Sequence, residues 1–344
     1  MNRPPGAGVL FAGCLILFAA VPRSAGAQDD DEPEFWQGNV NIGLGLFQSV
    51  SLAPFPALRS GLGPRLPSSL LEDGFEFRVT EDWARMLSTQ HQWLLDYDVL
   101  RSNLGVSYGI SNDLRVDLDF ESATRTTGYL ETFIIGFHRT FNLSIGNRRQ
   151  YQNHPQTISI LPPDGGPPVL ITQHDPQPYA QSAIATGEYA LLRGNEWIPD
   201  LALSASLRGA LHSGDLSSGS PIAGGGSLSM AKSVGDVNFY LSGSGAWFGA
   251  QRLSGLALRP LQWSALAGFE IRAASWVSIT AQYLLTSGGV DELGDLSRPS
   301  NEVTAGFKWD LGRGYLLETA VLENVINPYN TPDFGVHFSL TVRW

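Results

Sequence analysis

The densest group of chemically active side chains in this 344-residue sequence consists of Asp96, Asp98, Asp117, Asp119 and Glu121. Within 96–98 and 117–121 the acids stand two residues apart, which places them on one face of an extended strand. Clustered carboxylate oxygens are ligands that calcium prefers. The sequence has no Asp-x-Asp-x-Asp-Gly loop, so the favoured interpretation is a strand wall of ion-paired acids. We therefore predict no metal site and no cofactor.

Two histidines have a serine close by and are candidates for hydrolytic chemistry. His212 directly precedes Ser213, so in a strand their side chains point to opposite faces, whereas His337 and Ser339 share a face. Nucleophilic catalysis needs a hydroxyl, a base and a third group that orients the base. No orienting carboxylate is evident beside His337, so the sequence predicts a protein that is not an enzyme. A lipid hydrolase is the one enzymatic class left open.

The elements that carry these residues are predicted to be strands, because apolar and polar residues alternate through most of the sequence. The last segment is the clearest case, since Phe334 to Trp344 has an apolar residue at every even position. One apolar and one polar face, over strands of about ten residues, is typical of a transmembrane β-barrel whose apolar face meets lipid. A soluble sandwich alternates in the same way. The export signal described below and the terminal aromatic residue favour the barrel.

The predicted fold is therefore all-β: a transmembrane, antiparallel, up-and-down β-barrel of twelve strands with one inserted amphipathic helix. The strands are predicted at 75–88, 93–110, 114–126, 179–192, 200–212, 224–233, 236–248, 261–273, 276–287, 300–311, 314–323 and 334–344. Alternation over 36–50 suggests a further strand, which together with one inside 144–178 would make fourteen. The barrel domain is thus predicted to span 75–344, with an insert at 127–178. If 93–110 pairs with 114–126 about the turn at Asn112, Asn103 faces Glu121, Ser107 faces Asp117 and Arg101 lies diagonal to Glu121.

The N-terminus has the features of a cleavable signal peptide. An apolar run is followed by the small residues Ala25-Gly26-Ala27, which predicts a signal over 1–27. The only cysteine, Cys14, would leave with it; lipid attachment at Cys14 is the alternative. The net charge of −11, without a basic run, argues against nucleic-acid binding. Residues 28–74 are predicted to be a periplasmic or lumen-plugging segment, because their Pro-rich part cannot be a central strand.

The insert 127–178 interrupts the strand pattern with helical spacing. Apolar residues recur three and four positions apart between Tyr129 and Phe141, with Glu131 and His138 on the opposite face. This predicts an amphipathic helix outside the barrel, lying either over its mouth or in the outer leaflet.

The polar phase of the predicted strands would line the lumen. The candidate lumen or solute-path residues are Asp96, Asp98, Arg115, Asp117, Asp119, Glu121, Arg208, Glu270, Arg272 and Lys308. Acidic residues outnumber basic ones among all predicted lumen positions, which favours cations. Small barrels are often filled by side chains, so an open and a filled lumen are predicted with equal weight.

Several short motifs resemble a family of proteobacterial outer-membrane β-barrel proteins known only as a domain of unknown function. The motifs are Tyr108-Gly109-Ile110-Ser111, Gly128-Tyr129-Leu130-Glu131, Gly136-Phe137-His138, Arg148-Arg149, Glu323-Asn324 and Pro332-Asp333-Phe334. The family usually has Asp where this chain has Glu131, and 29–74 matches it poorly. The resemblance implies a barrel in the outer membrane and implies no activity; its insert residues here are Gly128, Leu130, Glu131, His138 and Arg148.

Taken together, the sequence predicts an exported, monomeric barrel in the outer membrane of a Gram-negative bacterium. The predicted function is passage or binding of small polar solutes through an acidic lumen. The alternatives are a surface, envelope-structural or partner-binding barrel without transport, and a lipid-modifying enzyme. The expected partners are outer-membrane lipids and the barrel-insertion machinery. The insertion machinery would read the C-terminal strand through Phe338, Leu340, Val342 and Trp344.

Overall fold

A computed structural model describes most of the chain after residue 40. The described residues are 41–59, 62–68, 70–126, 130–140, 156–163, 165–173, 176–214, 216–217, 221–324 and 329–344. The predicted signal peptide over 1–27 lies outside them. Within them, no helix has both the length and the apolar character needed to cross a bilayer.

Strands are the main element of the described residues. These are β1 (Phe75–Gln90), β2 (Trp93–Gly109), β3 (Leu114–Thr126), β4 (Gln156–Ile160), β5 (Val169–Gln173), β6 (Gln177–Leu192), β7 (Asp200–His212), β8 (Leu216–Ser217), β9 (Ile222–Val234), β10 (Val237–Trp247), β11 (Gln251–Leu253), β12 (Leu256–Leu258), β13 (Leu261–Ala274), β14 (Val277–Thr286), β15 (Ser300–Gly312), β16 (Tyr315–Glu323) and β17 (Phe334–Arg343). One α-helix, α1 (Glu131–Thr140), and 3-10 helices at Pro56–Arg59 and Gly294–Ser297 complete the set.

Twelve of these strands form a closed antiparallel barrel, as predicted. These twelve, called the wall strands here, are β1, β2, β3, β6, β7, β9, β10, β13, β14, β15, β16 and β17. Each wall strand pairs with its neighbour along the chain, and β17 closes the ring by pairing with β1 from Glu76↔Arg343 to Arg85↔Phe334. The ring has no free edge, so each of its twelve strands has a partner strand on both sides. The end of the barrel that carries Phe75 and Trp344 is called the turn end here, and the opposite end is called the loop end.

Alternation along each strand sorts side chains to the two faces of the wall. In β3, Asp117, Asp119 and Glu121 are buried inside, while Leu118 and Phe120 are exposed outside. The same rule holds around the ring, because a pleated strand turns successive side chains to opposite sides. The polar inner and apolar outer faces of these strands therefore follow the predicted pattern.

The predicted fourteen-strand alternative is not the one that forms. Residues 41–50 contain no strand, although the other expected strand exists as β4. Strands β4 and β5 form a hairpin that pairs with β2 through Trp93↔Ile160 to Asp96↔Thr157, beyond the point where β3 ends. The hairpin therefore extends the wall at the loop end without joining the ring.

A hydrophobic cluster fills the loop end of the barrel. It combines inward residues of the wall with β4, β11, β12 and the 3-10 helices. Leu52, Phe55 and Leu58, which precede the barrel in the chain, belong to the same cluster and are buried. Among the described residues, apolar packing thus fills the loop end of the lumen.

Helix α1 packs against the outer surface of the wall. Leu130 and Ile134 are buried with Phe334, and Trp83 and Val336 pack against them. Trp83, Phe334 and Val336 stand at outward positions of β1 and β17. Of the two predicted locations, the structure therefore supports the side of the barrel near the loop end rather than the mouth.

The predicted apolar stripe of α1 matches its buried face only in part: Leu130 and Ile134 are buried as expected, and two other positions differ. Glu131, expected on the polar face, is 2% exposed, and Ile135 is buried beside it. Phe133, expected on the buried face, is 53% exposed, although its ring lies 5.7 Å from that of Phe334. An ion pair beneath the helix, described below, holds Glu131 against the wall and sets this rotation.

Candidate functional site: the occupied lumen

The lumen is occupied by residues 41–59 and 62–68, named here the lumen segment. Asn41 donates hydrogen bonds to the carbonyls of Asn195 and Ile198 at the turn end. Arg59 donates to Gln251 near the loop end at 2.8 Å, and Ser68 returns to Glu188. The segment thus runs up the barrel, bends at its 3-10 helix and runs back to β1.

Glu270 holds the ascending limb of the lumen segment. Its carboxylate accepts the backbone N–H groups of Leu44 and Gly45, each at 3.0 Å, and the hydroxyl of Tyr240 at 2.9 Å. Glu270 is 0% exposed. Gly43 is also required to be small, because a Cβ there would lie 2.6 Å from Glu270 Oε2. These contacts place a fixed negative charge against backbone donors that no strand satisfies.

Lys308 binds the same limb through its positive charge. Its ammonium donates to the carbonyls of Leu44 at 3.1 Å and Leu46 at 2.9 Å, and it forms an ion pair with Glu318. The Lys308 Nζ also lies 5.4 Å from the ring centre of Phe47. One buried lysine therefore binds both the wall and the segment.

His337 does not form the hydrolytic site considered from sequence. Its Nδ1 lies 2.6 Å from Asp82 and its Nε2 lies 3.3 Å from Glu318, so both ring nitrogens face carboxylates. The Ser339 hydroxyl bonds that of Thr80 at 2.9 Å. A general base needs a nitrogen directed at its nucleophile, and His337 has neither nitrogen in that position.

Near the loop end, Glu302 binds the top of the ascending limb. Its carboxylate accepts the hydroxyl of Ser51 and the N–H of Leu52. The Ser51 and Ser300 hydroxyl oxygens lie 3.3 Å apart. The segment is thus tied to β15 immediately below the hydrophobic cluster.

The descending limb is held by wall carboxylates through Arg65 and Ser68. Arg65 donates to Asp119 at 3.0 Å and to Thr186 at 3.3 Å, and the Ser68 N–H donates to Glu188 at 2.9 Å. A guanidinium is always charged in proteins, and Arg65 lies against the carboxylate of Asp119. The segment therefore supplies a permanent cation to the predicted acidic wall.

The predicted pairing of β2 with β3 is confirmed. Asn103 stands opposite Glu121 and Ser107 opposite Asp117 in the register. Arg101, predicted to lie diagonal to Glu121, forms ion pairs with it and with Asp82, the latter at 2.6 Å. These acids are paired within the wall, as the favoured interpretation expected.

The predicted acidic lumen is not confirmed, for two reasons of geometry. Asp96 and Asp98 stand on the outward face of β2, because Arg101, three residues after Asp98, points inward. Arg101 and Arg125, which are absent from the predicted set of lumen residues, point inward and are buried. A register error of one residue moves every side chain to the other face, and this error affected 93–98.

The lumen segment reduces the acidic excess further. Arg65 neutralises Asp119, and Arg59 brings a second guanidinium into the loop-end half. The guanidinium of Arg59 carries a positive charge at neutral pH. The strand pattern alone does not reveal these two positive charges, because both arginines belong to the lumen segment.

The remaining predicted lumen residues do point inward. Arg115 bonds Asp117 at 2.6 Å and also contacts the Ser68 hydroxyl. Arg208 is buried, with its guanidinium carbon 6.0 Å from the ring centre of Phe248. Arg272 is half-buried near the turn end. In the described part of the chain, no group of three or more His, Cys, Asp or Glu side chains could hold a metal ion.

A cavity of about 130 Å³ remains between the two limbs of the lumen segment and the wall. Its charged lining residues are Arg65, Glu76, Arg78, Arg115, Asp117, Glu188, Lys308, Glu318 and Arg343. A second space, of about 10 Å³, lies in the apolar loop-end half. The larger cavity has room for several waters or a small polar molecule.

A second charged group, named here the outer cluster, lies beneath α1 and consists of Arg85, Asp96, Asp98 and Glu131. The guanidinium of Arg85 forms ion pairs with all three acids, including Asp98 at 3.3 Å and Glu131 at 3.2 Å. The N–H of Leu130 donates to Asp98 at 3.0 Å. All four charged side chains are buried. The cluster fixes the helix to the outer wall.

Several of the family motifs contact one another at the outer cluster. Asp333 donates its N–H to the carbonyl of Arg85 and accepts a bond from Asn324, and Phe334 packs on the helix. Arg85 itself was missed because a charged residue at an outward position contradicts the strand pattern. The motif residues Gly128 and Arg148 and the side chain of His138 lie outside the described part.

The predicted assembly residues Phe338, Leu340, Val342 and Trp344 follow the apolar outer phase of β17. Phe338 is 50% exposed and Trp344 is 65% exposed, and the Trp344 ring lies 4.8 Å from that of Phe75. Their outward position is compatible with the predicted contact to lipid or to the insertion machinery.

Comparison with known proteins gives a family and several structures of low sequence identity. Residues 35–344 match the family described as "Protein of unknown function (DUF3187)". No curated protein matches the sequence. An outer membrane channel from Pseudomonas putida F1 is 11% identical over 82% of this chain and 97% of that chain, with a TM-score of 0.49. The NanC porin is 12% identical over 78% and 98%, with a TM-score of 0.44. The Pseudomonas putida toluene transporter TodX is 10% identical over 87% and 94%, with a TM-score of 0.34.

Proposed function

This chain belongs to the DUF3187 family of proteins of unknown function, and we propose that it is an outer-membrane barrel that passes small solutes when the lumen segment withdraws. The observation that carries the proposal is the chemistry of the inner wall. The lumen segment is held largely by hydrogen bonds and ion pairs to inward side chains such as Glu270, Glu302, Lys308 and Asp119. These side chains are equally able to bind water, so the emptied part of the lumen below the hydrophobic cluster would present a hydrated polar surface.

The outer surface supports a membrane location. Large apolar side chains are exposed at outward positions of strands around the ring, among them Leu118, Phe120, Leu203, Leu241, Phe269, Ile279, Phe307 and Phe338. Apolar patches of this extent are covered by lipid or by another protein. We propose that outer-membrane lipids cover them, after export through the predicted signal and insertion through the C-terminal strand as a monomer.

The solute is proposed to be small and to carry polar groups. The 130 Å³ cavity offers guanidinium groups of Arg78, Arg115 and Arg343 beside the carboxylates of Glu76 and Glu188. Such a mixed lining favours neutral or zwitterionic solutes over simple cations. This replaces selectivity for cations as the expected behaviour.

A barrel without transport is the second candidate, and one observation favours it. The described state is filled, and the hydrophobic cluster occupies the loop end of the lumen. If the segment never withdraws, the barrel would instead present its loops and α1 as a fixed surface.

Single-channel recording in a planar bilayer tests between the two, using a matched pair of arginine variants. Arg65→Gln removes an ion pair from the segment to Asp119, which keeps Arg78 at 3.2 Å. Arg343→Gln removes an ion pair between two wall residues, and Glu76 likewise keeps Arg78. Transport predicts brief openings in the wild type and a higher open probability for Arg65→Gln alone. If all three folded proteins are silent, the barrel without transport is favoured. Steady full conductance of the wild type would contradict a gating segment.

A further inference from the structure

The apolar loop-end half of the lumen has a chemistry that gating alone does not require. Inward residues in such barrels are usually polar, yet here Leu95, Tyr97, Ile158, Ile160 and Tyr179 line a common space. Among the described residues, Arg125 is the one charged residue of this otherwise largely apolar lining, and its guanidinium carbon lies 5.4 Å from the centre of the Tyr179 ring. A polar plug would be held equally well by a polar wall, as the other half of the same lumen demonstrates. The apolar lining therefore calls for a separate explanation.

An aromatic ring from the lumen segment occupies this space. Phe55 is 1% exposed and belongs to the same hydrophobic cluster as the lining residues. The base of this side chain packs directly on the backbone of Gly289, because a Cβ on Gly289 would lie 2.3 Å from Phe55 Cβ. Only about 10 Å³ remains beside it. The space therefore has the size and the lining for one aromatic ring.

A polar group in the same lining is left without a partner. The hydroxyl of Tyr179 is buried and forms no hydrogen bond with any described residue, although the side chain is only 2% exposed. Buried hydroxyls nearly always have a partner, and an exception needs an explanation. Phe55 cannot supply one, since its side chain has no polar atom. A ligand that replaced the Phe55 ring and carried an oxygen could.

We propose that this chamber binds a small aromatic molecule carrying a hydroxyl or carbonyl oxygen, and that Phe55 takes the place of its ring in the closed state. The ring would lie between Leu95, Ile158 and Ile160, and the oxygen would bond the Tyr179 hydroxyl. The inference rests on the proposed function in one respect, because the lumen segment must withdraw for the chamber to open. It narrows the proposed solutes to aromatic molecules with a polar group.

The test is calorimetric titration of the folded, full-length protein in detergent with phenol and with benzene. Phe55→Ala vacates the chamber, and Phe55→Leu is the milder variant if the first does not fold, as judged by heat-modifiable gel mobility. A purely apolar cavity accepts benzene and favours it over phenol, whose hydroxyl would lose its water. Benzene binding alone therefore does not count as support.

We expect the Phe55 variant to bind phenol about tenfold more tightly than benzene, the ratio that one additional hydrogen bond gives. Adding Tyr179→Phe should abolish that preference while leaving benzene binding in place. The matched control is Phe47→Ala, which removes an equally buried aromatic ring of the lumen segment beside the charged residues His337 and Lys308. This control should show no preference for phenol that depends on Tyr179.

Equal binding of the two probes, a preference for phenol that survives Tyr179→Phe, or no binding by a folded Phe55 variant would each overturn the inference. The titration needs no conduction. A negative titration therefore leaves the recordings of Arg65→Gln unaffected, and silent recordings leave the titration interpretable.

Discussion

Replacing Glu270 with glutamine tests the strength with which the wall holds the lumen segment. The Glu270 carboxylate accepts two N–H groups of the segment, from Leu44 and Gly45, each at 3.0 Å. A hydrogen bond to a charged group contributes about 1.5–3 kcal/mol, against about 1 kcal/mol for a neutral pair. Because these N–H groups bind different carboxylate oxygens, the amide keeps one of the two bonds in neutral form and leaves the other N–H without its acceptor. The closed state should therefore lose about 2–5 kcal/mol.

A loss of this size corresponds to a rise of at least about thirtyfold in the ratio of open to closed barrels, since 1.4 kcal/mol is a factor of ten. The assay is open probability in single-channel recordings at fixed voltage and salt. Glu76→Gln is the matched control, because Glu76 is also inward and buried but is paired with Arg78, Arg115 and Arg343 of the wall. It should leave the open probability near that of the wild type. An unchanged open probability for Glu270→Gln, or an equal rise in the control, would refute the reasoning.

Two further substitutions test the wall and the outer cluster. Gly109→Ala would place a Cβ 2.0 Å from the carbonyl oxygen of Leu71. We expect a loss of about 1–3 kcal/mol in the free energy of unfolding in urea, whereas Gly243→Ala, with open space around it, should cost far less. Arg85→Gln would leave the three acids of the outer cluster buried without their cation, which costs about 3–5 kcal/mol. Helix α1 should then detach, and trypsin should cleave at the exposed Arg139 faster than in the wild type; equal rates would disprove the anchoring role of Arg85.

The sequence determined the barrel well because alternation is a local signal. All twelve predicted wall strands are found, and the turn from β2 to β3 was placed closely enough to predict Asn103 opposite Glu121. The single side-chain phase error fell at 93–98. There Asp96 and Asp98 seemed to continue the acidic lumen pattern, although they point outward to Arg85. Nothing in the strand itself indicates that a helix from a distant insert will cover an outward carboxylate.

The interior of the lumen was less predictable, because it depends on contacts across the whole chain. Arg65 reaches Asp119 from 54 positions away, and Leu44 reaches Glu270 from 226 positions away. No local pattern in the sequence indicates either contact. The chamber around Phe55 was missed for the same reason, since Tyr179 stands at a register shift between β3 and β6 where alternation fails. The lumen segment forms no strand, so alternation does not place it, and only its composition is informative.

The most direct test of the gating role of the lumen segment is a reversible covalent lock between the segment and the wall. The hydroxyl oxygens of Ser51 and Ser300 lie 3.3 Å apart, a separation compatible with a disulfide between cysteines at the same positions. The paired control is Ser204→Cys with Ser227→Cys, which joins two wall strands whose hydroxyl oxygens lie 2.6 Å apart. With Cys14, the only native cysteine, replaced by serine, no other disulfide can form.

The measurement is the current through single barrels before and after a reductant is added. We expect the oxidised Ser51→Cys/Ser300→Cys barrel to be silent and to begin opening once its disulfide is reduced, while the Ser204→Cys/Ser227→Cys barrel opens under both conditions. Openings of the oxidised Ser51→Cys/Ser300→Cys barrel that match those of the reduced one would contradict a gate formed by the lumen segment.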